Sequence, residues 1–211
     1  MNRPPAMTQI SDTLFNEIAE RLHITGPVDQ EVIAHLMKLF SPIYLQKGDF
    51  LVKAGERLPL FGFLLNGLMR HYFLRTDGTE ITVDFARTYD LVGEYNNLLL
   101  DKPADHFVQA LEPCVIIAAP IAELRASYDR FPALERISRQ FSEQYLYRIM
   151  AQLSQYTIRN AEERYVHLLT NEPDLIQRVP QVILASYVGV TPVTLSRIRN
   201  RLARQDVGYT S

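Results

Sequence analysis

Gly189 stands between two short runs of helical spacing, Gln181–Val188 and Pro192–Leu202, and no other feature narrows the fold as much. Leu184 and Val188 give the first run an apolar face, and Ala185 is small enough for a second helix to cross closely. Glycine permits the left-handed turn between them. Thr191 suits an N-cap and Pro192 the first helical position, so a second helix is predicted to begin there. Within it Leu195, Ile198 and Leu202 face inward. Thr191, Val193, Ser196, Arg197 and Asn200 then lie on the opposite face, with Arg199, Arg201 and Arg204 at its flanks. The pattern reads as a helix-turn-helix whose second helix offers hydroxyl, amide and guanidinium groups to a major groove. An ordinary helical hairpin is the alternative.

The charge distribution points the same way. The formal net charge is only -2, but 13 Lys+Arg against 18 acids precede Arg139, while nine arginines against six acids lie from Arg139 onward. Between Leu175 and Gln205 stand Arg178, Arg197, Arg199, Arg201 and Arg204 with no acid among them. A cationic patch on an otherwise acidic chain implies a polyanionic partner. With 211 residues, 47% hydrophobic and 22% charged, the chain is long enough for two small domains of a soluble globular protein. No apolar window approaches the length of a bilayer span, so a cytoplasmic protein with no membrane partner is expected. The single cysteine, Cys114, excludes an internal disulfide, and its neighbours Val115, Ile116 and Ile117 read as a strand holding an inert, half-buried thiol.

Helical spacing marks Leu14–Leu22 and Asp29–Phe40, the latter through Val32, Ile33, Leu36, Met37 and Phe40. After Ser41-Pro42 the period changes. From Tyr44 to Ala119 short apolar or alternating runs are punctuated by Lys47-Gly48-Asp49, Ala54-Gly55-Glu56, Asn66-Gly67, Asp77-Gly78 and Glu112-Pro113. Asn-Gly and Asp-Gly are strong hairpin signals, and turns at this frequency predict a compact antiparallel barrel or jelly roll, with a flat meander packed on a helix as the alternative.

Helical character returns at Pro120. A short helix is predicted over Ile121–Tyr128. Then Leu134, Ile137, Phe141, Tyr145, Ile149, Leu153 and Tyr156 recur every three or four residues with no glycine or proline inside. The stripe can pack on the barrel or pair with the same stripe of a second subunit. The helix outruns the side of a small barrel, which favours pairing, with Ile137, Phe141, Tyr145, Ile149 and Leu153 as candidate dimerisation residues.

In KGDFLVKAGE, GFLLNGLMRHYFLRTDGTE and the Val92-Gly93-Glu94 turn the chain resembles the cyclic-nucleotide-binding-type barrel of Crp/Fnr transcription regulators, particularly the Bacteroidetes subgroup. Glu162-Glu163-Arg164-Tyr165 and VPQVILASYVGVTPVTLSRIRNRL resemble the family's DNA-binding domain. The resemblance covers nearly all of the chain from about Leu36. It implies an α+β fold: a sensor domain over residues 1–132 built on an antiparallel β-barrel or jelly roll, a dimerisation helix over 133–157, and a helix-turn-helix domain over 158–211. It also implies double-stranded DNA, a second copy of the chain and RNA polymerase as partners.

The resemblance puts Arg197 at the position of the recognition-helix arginine that reads a base edge, where a guanidinium can bind guanine O6 and N7 together. Thr191, Thr194 and Ser196 are expected at phosphate or sugar, and Val193 at a thymine methyl. Arg199, Asn200 and Arg201 complete the DNA-binding set. Pro192 stands where many relatives place a polar reader, so their DNA consensus does not transfer. The candidate effector-binding residues are Gly93, Glu94, Tyr95 and Asn96. Relatives that bind a cyclic nucleotide follow this turn, about ten residues on, with an arginine and a serine or threonine that hold the phosphate. Here Ala104 and Asp105 stand there, and a carboxylate repels a phosphate.

His71 and His106 read as isolated histidines, too few for a metal-binding cupin site. No nucleophile–base pair and no glycine-rich phosphate loop is present, so neither catalysis nor a cofactor is expected. The expected function is a homodimeric regulator of transcription on an inverted repeat, with two alternatives for the barrel: an unidentified small effector, or no small ligand at all. The alternative is a small-molecule-binding or cupin-like enzymatic barrel.

Overall fold

The computed structural model describes residues 12–21, 25–26, 28–93, 100 and 102–207. Two helices, α1 (Asp12–Arg21) and α2 (Gln30–Leu39), precede eight strands: β1 (Ser41–Leu45), β2 (Phe50–Val52), β3 (Leu60–Asn66), β4 (Met69–Leu74), β5 (Glu80–Ala86), β6 (Leu91–Gly93), β7 (Phe107–Ala110) and β8 (Cys114–Pro120). A short helix α3 (Ile121–Ala126) leads to the long α4 (Pro132–Ile158). Four more follow: α5 (Ala161–Asn171), α6 (Pro173–Arg178), α7 (Gln181–Val188) and α8 (Pro192–Val207). The expected α+β class with an antiparallel jelly roll is the observed one.

The strands form two four-stranded sheets ordered β1-β8-β3-β6 and β2-β7-β4-β5, the interleaving of a jelly roll. The Asn66-Gly67 turn between β3 and β4 needs its glycine twice over. Its φ is +114°, and a Cβ there would meet Cys114 Sγ at 2.5 Å and the Pro113 carbonyl oxygen at 2.9 Å. Strand β3 is buried at five consecutive positions because both faces of its sheet are covered. Phe61, Phe63 and Leu65 point to one side and pack with α1, α2 and the start of α4. Leu64, whose partner across the ladder is Ile116, points to the other side and packs with Val52, Met69 and Val108 of the second sheet.

The chain divides into two compact units. The first comprises the chain up to His71 together with Phe85–Tyr147. The second joins Tyr72–Asp84 to the chain from Arg148 onward. The boundary falls inside α4, which is one continuous helix of 27 residues, about 40 Å long.

The candidate dimer stripe does not keep to one face of α4. Ile137 is buried in the first unit's core, and Phe141 packs against Phe61 and Phe63 with ring centroids 6.2 and 5.2 Å away. Tyr145 and Ile149 are half-buried, and only Leu153 is exposed. Helical geometry gives the reason. Each four-residue step rotates about 40° around the axis, so four steps carry Leu153 about 160° from Ile137. The apolar residues left open on the far side of the helix are Leu146, Met150 and Leu153, more than half exposed at 61%, 56% and 56%.

Candidate nucleic-acid interface

The second unit is built around α7 and α8. Leu184, Ala185 and Val188 of α7 and Leu195 and Ile198 of α8 are buried, as their spacing predicts. Gly189 caps α7 at φ +82° and ψ +33°, and its N–H and that of Val190 both return to the Ala185 carbonyl. Thr191 Oγ1 accepts the Thr194 N–H at 3.2 Å, which starts α8 where the sequence predicts.

The last carbonyls of α7 are held by side chains from earlier in the chain. Arg164 donates from Nε to the Val188 carbonyl at 2.9 Å and from Nη1 to the Arg159 carbonyl at 2.6 Å. Tyr156 donates its hydroxyl to the Tyr187 carbonyl. A guanidinium and a phenol thus fill acceptors that a helix C-terminus leaves open, and the arginine also complements the negative end of the helix dipole. The Arg164 guanidinium carbon lies 5.3 Å from the Tyr156 ring centroid. Burial is the largest influence on Tyr156 and pushes its pKa up to about 12, with Arg164 pulling it down and Asp84 adding to the rise. Arg164 is in place because α5 starts with a capping box: Asn160 accepts the Glu163 N–H and Glu163 accepts the Asn160 N–H.

The hairpin segment of this unit ties to α7 through the Ser186 hydroxyl. Ser186 Oγ accepts the Thr82 N–H at 2.9 Å and donates to the Glu80 carbonyl at 2.7 Å, filling alternate backbone groups along the edge strand β5. Arg148 pairs with Asp84 at 2.5 Å, and the Gln152 amide donates to the Val83 carbonyl, so α4 grips the same strand.

On α8 the residues opposite Leu195 are Val193, Arg197, Asn200 and Arg204, all exposed and within about 60° of one another around the axis. Val193 is 62% exposed. Among the described residues Arg197 and Arg204 have no hydrogen-bond or ion-pair partner. Arg204 belongs to this face, a placement that its helical angle of about 180° from Leu195 gives from sequence alone. The other candidates sit apart: Thr191 and Thr194 bond each other through their hydroxyls at 2.9 Å, Ser196 is half-buried, Arg199 is exposed on the flank towards Leu195, and Arg201 pairs with Glu162.

Of the candidate effector residues, Gly93 ends β6 and pairs with Phe61, while Glu94, Tyr95 and Asn96 lie outside the described residues. Ala104 is buried, with its N–H on the Glu56 carbonyl at 2.9 Å and its carbonyl taking the Gly55 N–H at 2.8 Å. Asp105 is exposed and its Oδ1 lies 3.1 Å from His106 Nδ1. His71 and His106 are not isolated: β4 and β7 are neighbouring strands and stack the two rings with centroids 5.6 Å apart. Among the described residues no group of three or more histidine, cysteine or acidic side chains is placed to hold a metal, and no helix is long and apolar enough to cross a membrane.

Residues 42–131, most of the roll, match the family model described as the cyclic nucleotide-binding domain. The chain is 25% identical over 174 residues to the fumarate and nitrate reduction regulatory protein of Yersinia pestis, an alignment covering 77% of this chain and 69% of the relative. In sequence and fold the chain is thus similar to regulators of the Crp/Fnr type, and its roll to the cyclic nucleotide-binding domain. Its fold is similar to that of FixK2 from Bradyrhizobium japonicum, with a TM-score of 0.65 and 16% identity over 80% of this chain and 86% of the other. It is also similar to the c-di-GMP responsive global regulator CLP of Xanthomonas campestris, with a TM-score of 0.69 and 16% identity over 84% and 93%. The roll has the eight strands, and Gly93 ends β6. Where a phosphate clamp is expected it holds a buried alanine and a carboxylate set beside a histidine.

Proposed function

We propose that the chain is a DNA-binding transcription regulator that acts as a homodimer on an inverted repeat, with α8 as the recognition helix. The observation that carries this reading is the face of Val193, Arg197, Asn200 and Arg204. It presents an apolar contact, an amide and two unengaged guanidinium groups on a helix fixed behind by Leu195 and Ile198. Guanidinium suits guanine and amide suits adenine in the major groove, and an apolar side chain suits the thymine methyl. Arg197 reads a base, Thr191, Thr194, Ser196 and Arg199 lie towards the backbone of the duplex, and Arg201 is steered by Glu162.

The second copy meets the first along Leu146, Met150 and Leu153, whose four- and three-residue spacing is that of a coiled-coil seam. Two-fold pairing brings two α8 helices to half-sites about one helical turn apart. RNA polymerase is the partner such a regulator addresses. A small effector belongs to the same reading, but Ala104 and Asp105 speak against a cyclic mononucleotide held through its phosphate.

The test is selection of binding sites from random duplexes, followed by titration of the selected site with the wild type and with Arg197→Ala. An inverted repeat should emerge. The variant should lose about 1–3 kcal/mol per contact and relax base preference at one position per half-site. Equal weakening on every sequence would assign Arg197 to phosphate instead, and failure to retain any duplex would end the regulator reading.

A further inference from the structure

On the outer face of the β1-β8-β3-β6 sheet, away from the roll's interior, the first unit carries a partly open apolar cavity of about 50 Å³. Its lining comes from α1, α2, β3, β8, α3 and α4. Four of the lining residues are phenylalanines: Phe40, Phe61, Phe63 and Phe141. Phe63 has the other three rings around it at centroid distances of 6.2, 5.5 and 5.2 Å. Ser138 supplies the one side-chain hydroxyl of the lining, and it already accepts the Tyr128 hydroxyl at 2.8 Å. A buried water needs two to four polar partners, so this space does not hold one. Apolar cavities of this kind stay dry and accept uncharged apolar guests such as xenon.

We infer that this cavity is a binding site for a small, uncharged apolar molecule of about two to four heavy atoms, and that its occupancy acts on α4. The second part follows from the wall. Leu134, Ile137, Ser138 and Phe141 line the cavity at spacings of three, one and three, so one whole stripe of the helix faces the guest. That helix continues into the exposed seam of Leu146, Met150 and Leu153. The effect on DNA rests on the proposed regulator reading, whereas binding does not.

Xenon pressure on the full chain with methyl-labelled isoleucine and leucine tests the site. Shifts are expected at Ile117, Leu134 and Ile137, and none at Ile116, which faces the roll's interior. Absence of shifts, or shifts confined to Ile116, overturns the site. Ala19→Leu fills the space from α1 and should abolish the shifts. Ile137→Val enlarges it by one methylene and should strengthen them, which keeps the test decisive if the filled variant does not fold. DNA affinity of the wild type should change about fivefold or more under xenon, and that of Ala19→Leu should not change. Bound xenon with unchanged DNA affinity overturns the action on α4. No DNA binding with or without xenon sinks the regulator reading and leaves the site standing.

Discussion

The two units are held together by different means. The first is an apolar construction: Leu64, Met69, Val108 and Ile116 close the inside of the roll, and Phe61, Phe63 and Phe141 bind the helices to its outside. The second has a smaller apolar centre, and α7 is positioned by side chains that seize backbone groups: Arg164 and Tyr156 at its C-terminal end, and its own Ser186, which bonds the edge strand β5. Apolar contact is tolerant of small sliding, whereas a donor set 2.9 Å from a carbonyl fixes direction as well as distance. The role proposed for α8 requires a defined angle, which the second kind supplies.

The largest effect separating the two should come from Leu195→Ala. Leu195 is fully buried between α7 and α8, and truncation of such a side chain costs about 2–5 kcal/mol. Calorimetry should show the second unit's transition falling while the roll's transition keeps its midpoint. Leu64→Ala, equally buried, should do the reverse. A single transition moving as one in both variants would show that the units fold as one body.

Arg164→Met comes next. The substitution retains most of the side-chain length but leaves the Val188 and Arg159 carbonyls without their donor, and hydrogen bonds to charged groups contribute about 1.5–3 kcal/mol. The expected result is a destabilised second unit with Leu195 still buried, and DNA affinity lost even at temperatures where the unit remains folded. Unchanged DNA affinity at those temperatures would mean that α7 is positioned by packing alone.

Sequence patterns carried the parts of the molecule that local chemistry decides. Gly189, Thr191 and Pro192 mark the turn and the start of α8 within a few residues, and Asn66-Gly67 marks a turn whose glycine has no substitute, although it passes the chain from one sheet to the other and closes no hairpin because β3 and β4 do not pair. Features that depend on distant pairing were not legible in the same way. Arg164 reaches a carbonyl 24 residues away and Ser186 a strand 106 residues away. His71 and His106 meet only because β4 and β7 are neighbours. The stripe on α4 is harder to read for a subtler reason: repeated four-residue spacing looks continuous in sequence but winds around the helix, so residues at its two ends face opposite ways. On α8 the same rotation sets Arg204 beside Arg197.

Ser186→Ala probes the tie between α7 and the edge strand with a smaller expected cost. The variant removes one donor and one acceptor and leaves the Thr82 N–H and Glu80 carbonyl to find water, at about 1 kcal/mol. Amide hydrogen exchange at Thr82 should quicken while exchange at Leu64, bonded to the Asp90 carbonyl, stays slow. Protection of Thr82 retained in the variant would mean that the hydroxyl does not hold the strand.

The smallest effect at neutral pH, and the one with the clearest direction elsewhere, belongs to Tyr156. Burial raises its pKa from the ordinary 10.0 to about 12, so the folded state holds the phenol proton where the unfolded chain has released it. Stability associated with the neutral phenol is therefore fully present below pH 10 and is lost as pH rises from 10 towards 12. Phenylalanine has no proton to lose. The difference in stability between wild type and Tyr156→Phe, measured by denaturant titration, should be near 1 kcal/mol at pH 7, from the bond to the Tyr187 carbonyl, and should shrink or reverse across that window. Tyr89 supplies the contrast from the first unit: its pKa is raised chiefly because its hydroxyl donates to Glu17 at 2.5 Å, at an exposed site where solvent screens the interaction. Tyr89→Phe should leave the alkaline slope much less altered than Tyr156→Phe does. Equal slopes would remove the distinction between a unit fixed by buried polar capture and one fixed by apolar contact.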